Sequence, residues 1–241
     1  MPKVGIITQA RMTSTRLPGK VLMRVGNKSL LEYHIERLKK ANLPIIIATT
    51  LNASDDPIAD FCGNRNLSMF RGDEHNVLSR YYYAAQKYNL NYIVRVTSDC
   101  PLIDGELISR AVSDHLNFKN DWVYTSNCLK RTFARGFDFE IFSFIMLENA
   151  FENALTSFEK EHVTPYFYQN LHGKTKLNTI EQTTDFSDLR ITVDEADDFK
   201  LIERLIIEHK CQDLNAAQIS ELLRNNPGLK KINIHVEQKK S

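Results

Sequence analysis

Apolar positions in the first half of the chain fall into two alternating patterns. Residues 4–8, 44–50, 67–70 and 92–97 form short continuous runs, rich in valine and isoleucine and of strand length. Between these runs, Leu30, Leu31, His34, Ile35, Leu38 and Ala41 recur at the spacing of one helix face. So do Val77, Leu78, Tyr81, Tyr82, Ala85 and Tyr88, and then Leu107, Ile108, Ala111, Val112 and His115. A further helix start is marked by Ser54-Asp55-Asp56-Pro57, because acids and proline suit a first helical turn. Strand–helix alternation of this kind predicts βαβ units around a mostly parallel sheet, the α/β class, with ligand sites beyond the carboxyl ends of the strands.

The pattern changes over residues 122–185. Aromatic-rich strands are predicted at 122–125 and 139–144, without regular alternation, and this stretch reads as a covering or dimer-forming subdomain inserted in a single domain of 1–241. Alternation resumes with a strand at 189–193 and a helix carrying Phe199, Ile202, Leu205 and Ile206. The last dozen residues read as frayed.

Composition narrows the class. With 241 residues and 42% hydrophobic content the chain can bury one sizeable α/β core. A net charge of +1 argues against a general nucleic-acid binder. No run approaches the roughly 18–20 apolar residues of a membrane span. The first apolar run stops at Arg11, too soon for a signal-peptide core. Cys62, Cys100, Cys128 and Cys211 are widely spaced and without metal-ligand pattern, which suits reduced thiols and a cytoplasmic protein.

Charge is nevertheless uneven. Residues 1–40 carry nine Lys or Arg against Glu32 and Glu36, an excess of seven, so the other 201 residues sum to −6. Much of that excess lies in the loop 10–20, which holds Arg11, Ser14, Arg16, Gly19 and Lys20 directly after the first strand. It is neither a Walker A loop, since Ser14 and Val21 replace the required glycine and hydroxyl, nor a Rossmann glycine fingerprint. A cationic, hydroxyl-rich turn there suits a polyphosphate. Asp99 follows the strand 92–97; it suits Mg²⁺, which takes one or two carboxylates together with phosphate oxygens, or equally a turn cap before Pro101. Asp104 reads as a helix N-cap. Asp194 repeats the placement of an acid just past a strand, while Asp197 and Asp198 fit the first turn of the next helix. His162 suits either a site or a partly buried structural position. Glu140, on an apolar strand, needs a ligand or partner to justify its burial.

Seven segments together resemble the spore coat polysaccharide biosynthesis protein F family. They are ARMTSTRLPGKVL at 10–22, ATTLNASDDPIADFC at 48–62, FRGDEHNVLSRYYYAA at 70–85, VRVTSDCPLID at 94–104, RGFDFEIFSF at 135–144, EHVTPYF at 161–167 and RITVDEADDF at 190–199. The first also resembles the cytidylyltransferases that activate acidic sugars, such as the 3-deoxy-manno-octulosonate enzyme. The resemblance implies a three-layer, Rossmann-like nucleotide-diphospho-sugar transferase fold, CTP as donor, an anionic acceptor, Mg²⁺ and a homodimer. By matched position it implies a triphosphate grip of Arg11, Arg16 and Lys20 with Ser14, and base contacts from Ala10 and Arg71. It implies metal-binding acids at Asp99 and Asp194, with Lys20, Arg11 and Asp99 catalytic, and an acceptor pocket of Glu140, Glu161 and His162. Phe137 and Phe139 depart from the smaller aliphatic residues expected of the family. The implied activity is transfer of CMP from CTP to an acidic or phosphorylated sugar for a surface glycan. The alternatives are a nucleotide-sugar glycosyltransferase of related fold and a non-catalytic nucleotide-binding homologue; Asp99-Cys100-Pro101 stands where the former would carry Asp-x-Asp.

Overall fold

The structure, a computed structural model, describes residues 2–237. Its centre is a seven-stranded sheet. In chain order the strands are β1 (Val4–Gln9), β4 (Ile45–Thr50), β5 (Ser68–Gly72), β6 (Tyr92–Thr97), β7 (Val123–Ser126), β8 (Glu140–Ser143) and β9 (Lys176–Thr179). A small ribbon of β2 (Arg24–Val25) and β3 (Lys28–Ser29) lies apart from it. The spatial order is β5-β4-β1-β6-β8-β7-β9. Only β8 runs against its neighbours, pairing antiparallel with β6 and β7.

Alternation along the strands explains the layering. Ile6, Val94 and Val96 face one core with Leu30 and Leu38 of α1 (Leu30–Lys39), Ile108 of α4 (Gly105–Asn117) and Leu201, Ile202 and Leu205 of α8 (Ala196–Ile207). Ile7, Ile46 and Ile93 face the other, with Leu78 and Tyr81 of α3 (Val77–Lys87) and Leu147 of α5 (Phe144–Asn153). Ile58 and Phe61 of α2 (Asp56–Asn64) extend the first face through Leu31 and Ile35. Successive strand residues point to opposite faces, so runs apolar at every position must be covered on both. Three layers follow.

Helix boundaries obey the sequence signals. Ser29 and Glu32 form a reciprocal capping box on α1, and Asp104 accepts the Glu106 and Leu107 N–H groups at 3.0 Å to cap α4. Tyr81 is a core residue, whereas Tyr82 stacks on Phe151 at 4.2 Å between ring centres. Phe137 and Phe139 are buried in the core.

Residues 122–185 contribute β7, β8 and β9 to the central sheet. They also place α5, α6 (Ser157–His162) and α7 (Pro165–Tyr168) on the α3 side. Strand β9, with the polar sequence KLNT at the sheet edge, has no apolar signature that would reveal it.

Two expectations are corrected. Residues 189–193 do not join the sheet; they run extended beside residue 135 through a single parallel bridge, Arg135 to Arg190. Gly136, at φ +110°, departs from the extended conformation that a continuing ladder requires. The C-terminal segment is not frayed as far as residue 236. Asn233 and Val236 are buried, and the Asn233 amide donates to Asp198 Oδ1 at 2.8 Å and to the Arg190 carbonyl at 3.1 Å. Residues 238–241, the tip of that predicted fray, lie outside the described residues.

Candidate active site

The sheet order places the site. The chain leaves β1 toward β4 and β5, then returns to the other side of β1 at β6, so the strand order reverses between β1 and β6. Their ends are in register, Gln9 opposite Thr97, and the Ser98 N–H donates to the Gln9 carbonyl at 3.1 Å. The loop 10–20 and Asp99 are thereby side by side at a topological switch point.

The loop is fixed from below. Asp55, fully buried, accepts the Met12 N–H at 2.7 Å and also receives the Thr49 and Thr50 hydroxyls. Gly19, at φ +71°, accepts the left-handed conformation needed to turn Lys20 inward, and its N–H closes on the Met12 carbonyl at 2.8 Å. Lys20 is buried. Its ammonium donates to Asp99 Oδ2 at 2.9 Å, Asp194 Oδ1 at 2.9 Å and the Val193 carbonyl at 2.7 Å.

Asp194 reaches this point without a strand. The Val193 N–H donates to the Asp99 carbonyl at 2.8 Å, which ties residue 193 to the end of β6. Arg190 then holds Asp194 Oδ2 at 2.6 Å and grips Asp198 with two donors at 2.9 and 3.1 Å. Asp198, fully buried, accepts the Asp194 and Glu195 N–H groups. Arg16 adds a second guanidinium to Asp194 Oδ2 at 3.0 Å.

Electrostatics follow from this geometry. Burial works against the Lys20 ammonium, but Asp99 and Asp194 outweigh it and raise its pKa. Burial alone would raise Asp99; the Lys20 charge and the Thr97 hydroxyl, at 2.6 Å, overcome it and bring the carboxyl down to about 2. Asp194 is lowered too, the Lys20 charge outweighing both its burial and the neighbouring Asp99. Both carboxylates are therefore ionised at neutral pH.

A cleft of about 260 Å³ opens over this centre. Its walls include Ala10, Arg11, Ser14, Arg16, Lys20, Asp99, Glu161, His162 and Asp194, nine of the eleven residues singled out from the sequence. Two are elsewhere. Arg71 turns back along β4, donating to the Thr50 carbonyl at 2.7 Å and the Asn52 carbonyl at 2.9 Å, with Asp56 at 2.8 Å. Glu140 lies behind the cleft, where it pairs with Arg95 and accepts the Tyr124 and Thr164 hydroxyls, each at 2.6 Å. Those partners justify its burial, and it is Arg95 that faces the cleft.

Val163 connects these parts. It adopts φ +69°, ψ −54°, with the Thr164 N–H donating to the His162 carbonyl at 2.8 Å, a strained γ-turn that a β-branched residue adopts at a cost of about 1–3 kcal/mol. The Val163 side chain is fully buried, and Thr164 is anchored on Glu140. The turn thus leaves His162 on the cleft wall, with its pKa lowered by burial.

The sequence passed over Arg80, Arg95 and Arg190. Arg80 sits among the buried positions of α3, Arg95 inside an apolar strand, and Arg190 beside a run of acids. A cation inside an apolar pattern was the available signal for the first two.

The donor set fits a hard divalent ion. One oxygen from each of Asp99 and Asp194 already shares a single cationic centre, the Lys20 ammonium. Among the described residues no group of three or more His, Cys, Asp or Glu could hold a metal. Two carboxylates completed by substrate oxygens and water is the arrangement Mg²⁺ favours.

The fold is the Rossmann-like fold of nucleotidyltransferases. The chain belongs to the cytidylyltransferase family, whose model matches residues 5–241. It is 29% identical over 237 residues to the spore coat polysaccharide biosynthesis protein SpsF of Bacillus subtilis, covering 94% of this chain and 96% of that one. It is 37% identical over 118 residues to the 3-deoxy-manno-octulosonate cytidylyltransferase of Solibacter usitatus, 46% of this chain and 45% of that one. Among solved structures, a cytidylyltransferase from Leptospira borgpetersenii superposes with a TM-score of 0.91 at 33% identity, covering both chains fully.

Proposed function

We propose that the protein transfers a cytidylyl group from CTP to an anionic sugar or sugar phosphate, releasing pyrophosphate, in the biosynthesis of a surface polysaccharide. One observation carries this reading: Lys20, Asp99 and Asp194 meet at one point beside a cationic loop at the strand-order reversal. The family supports cytidylyl chemistry, and the relatives named for a spore coat polysaccharide and for 3-deoxy-manno-octulosonate support a sugar acceptor.

In this reading an acceptor oxygen attacks the α-phosphorus in line. A new P–O bond forms, the bond to the bridging oxygen breaks as pyrophosphate departs, and where the attacking oxygen is a hydroxyl its proton passes to solvent. Arg11, Arg16 and Lys20 hold the phosphates, and their charge offsets what accumulates on the leaving group. Asp99 and Asp194 would hold Mg²⁺, which supplies charge neutralisation at the α-phosphate. Glu161 and His162, on the cleft wall, contact the acceptor. Glu140 acts at second hand by fixing Arg95. The segment 122–185 covers the acceptor and forms the contact of a homodimer.

The test is pyrophosphate release across the four nucleoside triphosphates, with and without acidic sugars. CTP-dependent release that requires both Mg²⁺ and an acidic sugar is expected. Release that is indifferent to the base, or transfer from a nucleotide sugar instead, would overturn the reading.

A further inference from the structure

Four arginines reach the cleft, and three of them are neutralised. Arg11 has Glu74 at 3.8 Å, Arg16 has Asp194 at 3.0 Å, and Arg95 has Glu140. Among the described residues Arg80 has no such partner. It is 2% exposed, lines the cleft, and its buried Nε and Nη1 donate to nothing among the described residues. The acids nearest in influence, Asp55 and Asp73, are committed elsewhere: Asp55 to the Met12 N–H and two threonine hydroxyls, Asp73 to the His75 and Asn76 N–H groups. A guanidinium cannot shed its charge, and a buried cation without a counter-ion is costly. Buried N–H groups left open toward a cleft call for a partner, which a ligand entering that cleft can supply.

The surroundings favour an anion. Arg80 lies in the first turn of α3, an eleven-residue helix whose amino end carries positive potential. Arg11 stands close enough to oppose it electrostatically. Its stem is wedged under Gly72, where an added Cβ would meet Arg80 Cγ at 3.2 Å, so the side chain is braced against the end of β5.

We propose that Arg80 is a substrate ligand whose buried N–H groups bind an anionic oxygen, phosphate or carboxylate, delivered into the cleft. Taking that oxygen to belong to the donor triphosphate or to the acid group of the acceptor rests on the function proposed above. Arg80 is then the missing contact between α3 and the reacting molecules, and the ligand-free protein carries an uncompensated charge for it.

The test compares wild type with Arg80→Met and Arg80→Lys by calorimetric titration of CTP, cytidine, inorganic pyrophosphate and 3-deoxy-manno-octulosonate. The melting temperature of each ligand-free protein is measured alongside. Arg80→Met is expected to melt no lower than wild type, because methionine fills the stem's volume and removes the unpaired charge. It should lose about tenfold or more in affinity for an anionic probe. Cytidine affinity should not change, and Arg80→Lys should fall between. Loss for CTP and pyrophosphate assigns the oxygen to the donor; loss for the sugar acid alone assigns it to the acceptor. Wild-type affinity for every anion in Arg80→Met overturns the proposal, as does a lower melting temperature with unchanged affinity. So does a wild type that binds none of the three anions. If Arg80→Met does not fold, Arg80→Lys decides, with undiminished anion affinity counting against the assignment. A wild type that binds pyrophosphate but neither CTP nor the sugar acid would sink the cytidylyl reading, while the response of pyrophosphate affinity to Arg80→Met would still judge Arg80.

Discussion

Asp99 and Asp194 stand ninety-five positions apart in the chain and each presents one carboxylate oxygen to the same ammonium, that of Lys20, at 2.9 Å. Asp99 is delivered by the end of β6. Asp194 is delivered by an extended segment held through residue 135, Asp99 and Arg190. The precision of the centre therefore depends on backbone contacts that lie away from it.

Gly136 makes the closest of these. A Cβ there would fall 2.7 Å from Ile191 Cγ1, 2.8 Å from the Ile191 carbonyl carbon and 2.9 Å from the Thr192 nitrogen, and φ is +110° besides. Gly136→Ala is expected to destabilise the protein by roughly 2–3 kcal/mol in urea unfolding, through strain and displaced backbone. Nucleotide affinity should fall with it, because residues 191–194 must move. A change within about 0.5 kcal/mol would show that the segment is not held there.

Arg190 compensates two carboxylates, one of them the fully buried Asp198. Removing it leaves that charge without its strongest partner, so Arg190→Met should cost about 3–5 kcal/mol in thermal or denaturant unfolding. Restoring stability by adding Asp198→Asn would confirm the mechanism. A single variant as stable as wild type would refute it.

Much of this was legible in the sequence. The helices and inner strands follow from apolar spacing, because both faces of β1, β4 and β6 are covered and continuous runs survive the alternation of sides. The loop 10–20, Asp99 and Asp194 were legible as a candidate site because charges directly after apolar runs have no packing explanation, and the structure brings them to one cleft. Other features were not. Strand β9 is polar and at an edge. The extended run 189–193 has strand composition but takes its hydrogen bonds from a loop and from Asp99, which composition does not encode. Arg71 lies in a matched motif yet turns toward β4, since the Thr50 and Asn52 carbonyls offer it acceptors.

Two buried histidines set an acid response. His34 places Nδ1 on the Cys100 carbonyl at 2.8 Å, so that nitrogen carries the hydrogen, and its Nε2 accepts from the Thr8 hydroxyl at 2.9 Å. Burial lowers it to about 4, and burial likewise lowers His115 to about 4. Unfolded, each would take a proton near 6.5, so between pH 6.5 and about 4 the unfolded chain binds more protons. The histidine contribution to stability falls as pH drops through that window and levels below it, where the depressed carboxylates Asp99 and Asp194 take over the loss. The His34→Gln/His115→Gln double variant should lose roughly 1.4 kcal/mol per pH unit of slope for each histidine removed, measured by urea unfolding from pH 7.5 to 4. An unchanged slope would contradict this.

The central claim is that Asp99 and Asp194 jointly form one cation seat beside the phosphate loop. Its most direct test is Mn²⁺ titration by electron paramagnetic resonance in the presence of a CTP analogue whose α–β bridge cannot be cleaved. Wild type is expected to take up the ion with the nucleotide, while Asp99→Asn and Asp194→Asn, each still folded, lose that uptake by about tenfold or more. Mn²⁺ binding in both variants equal to wild type would contradict the account.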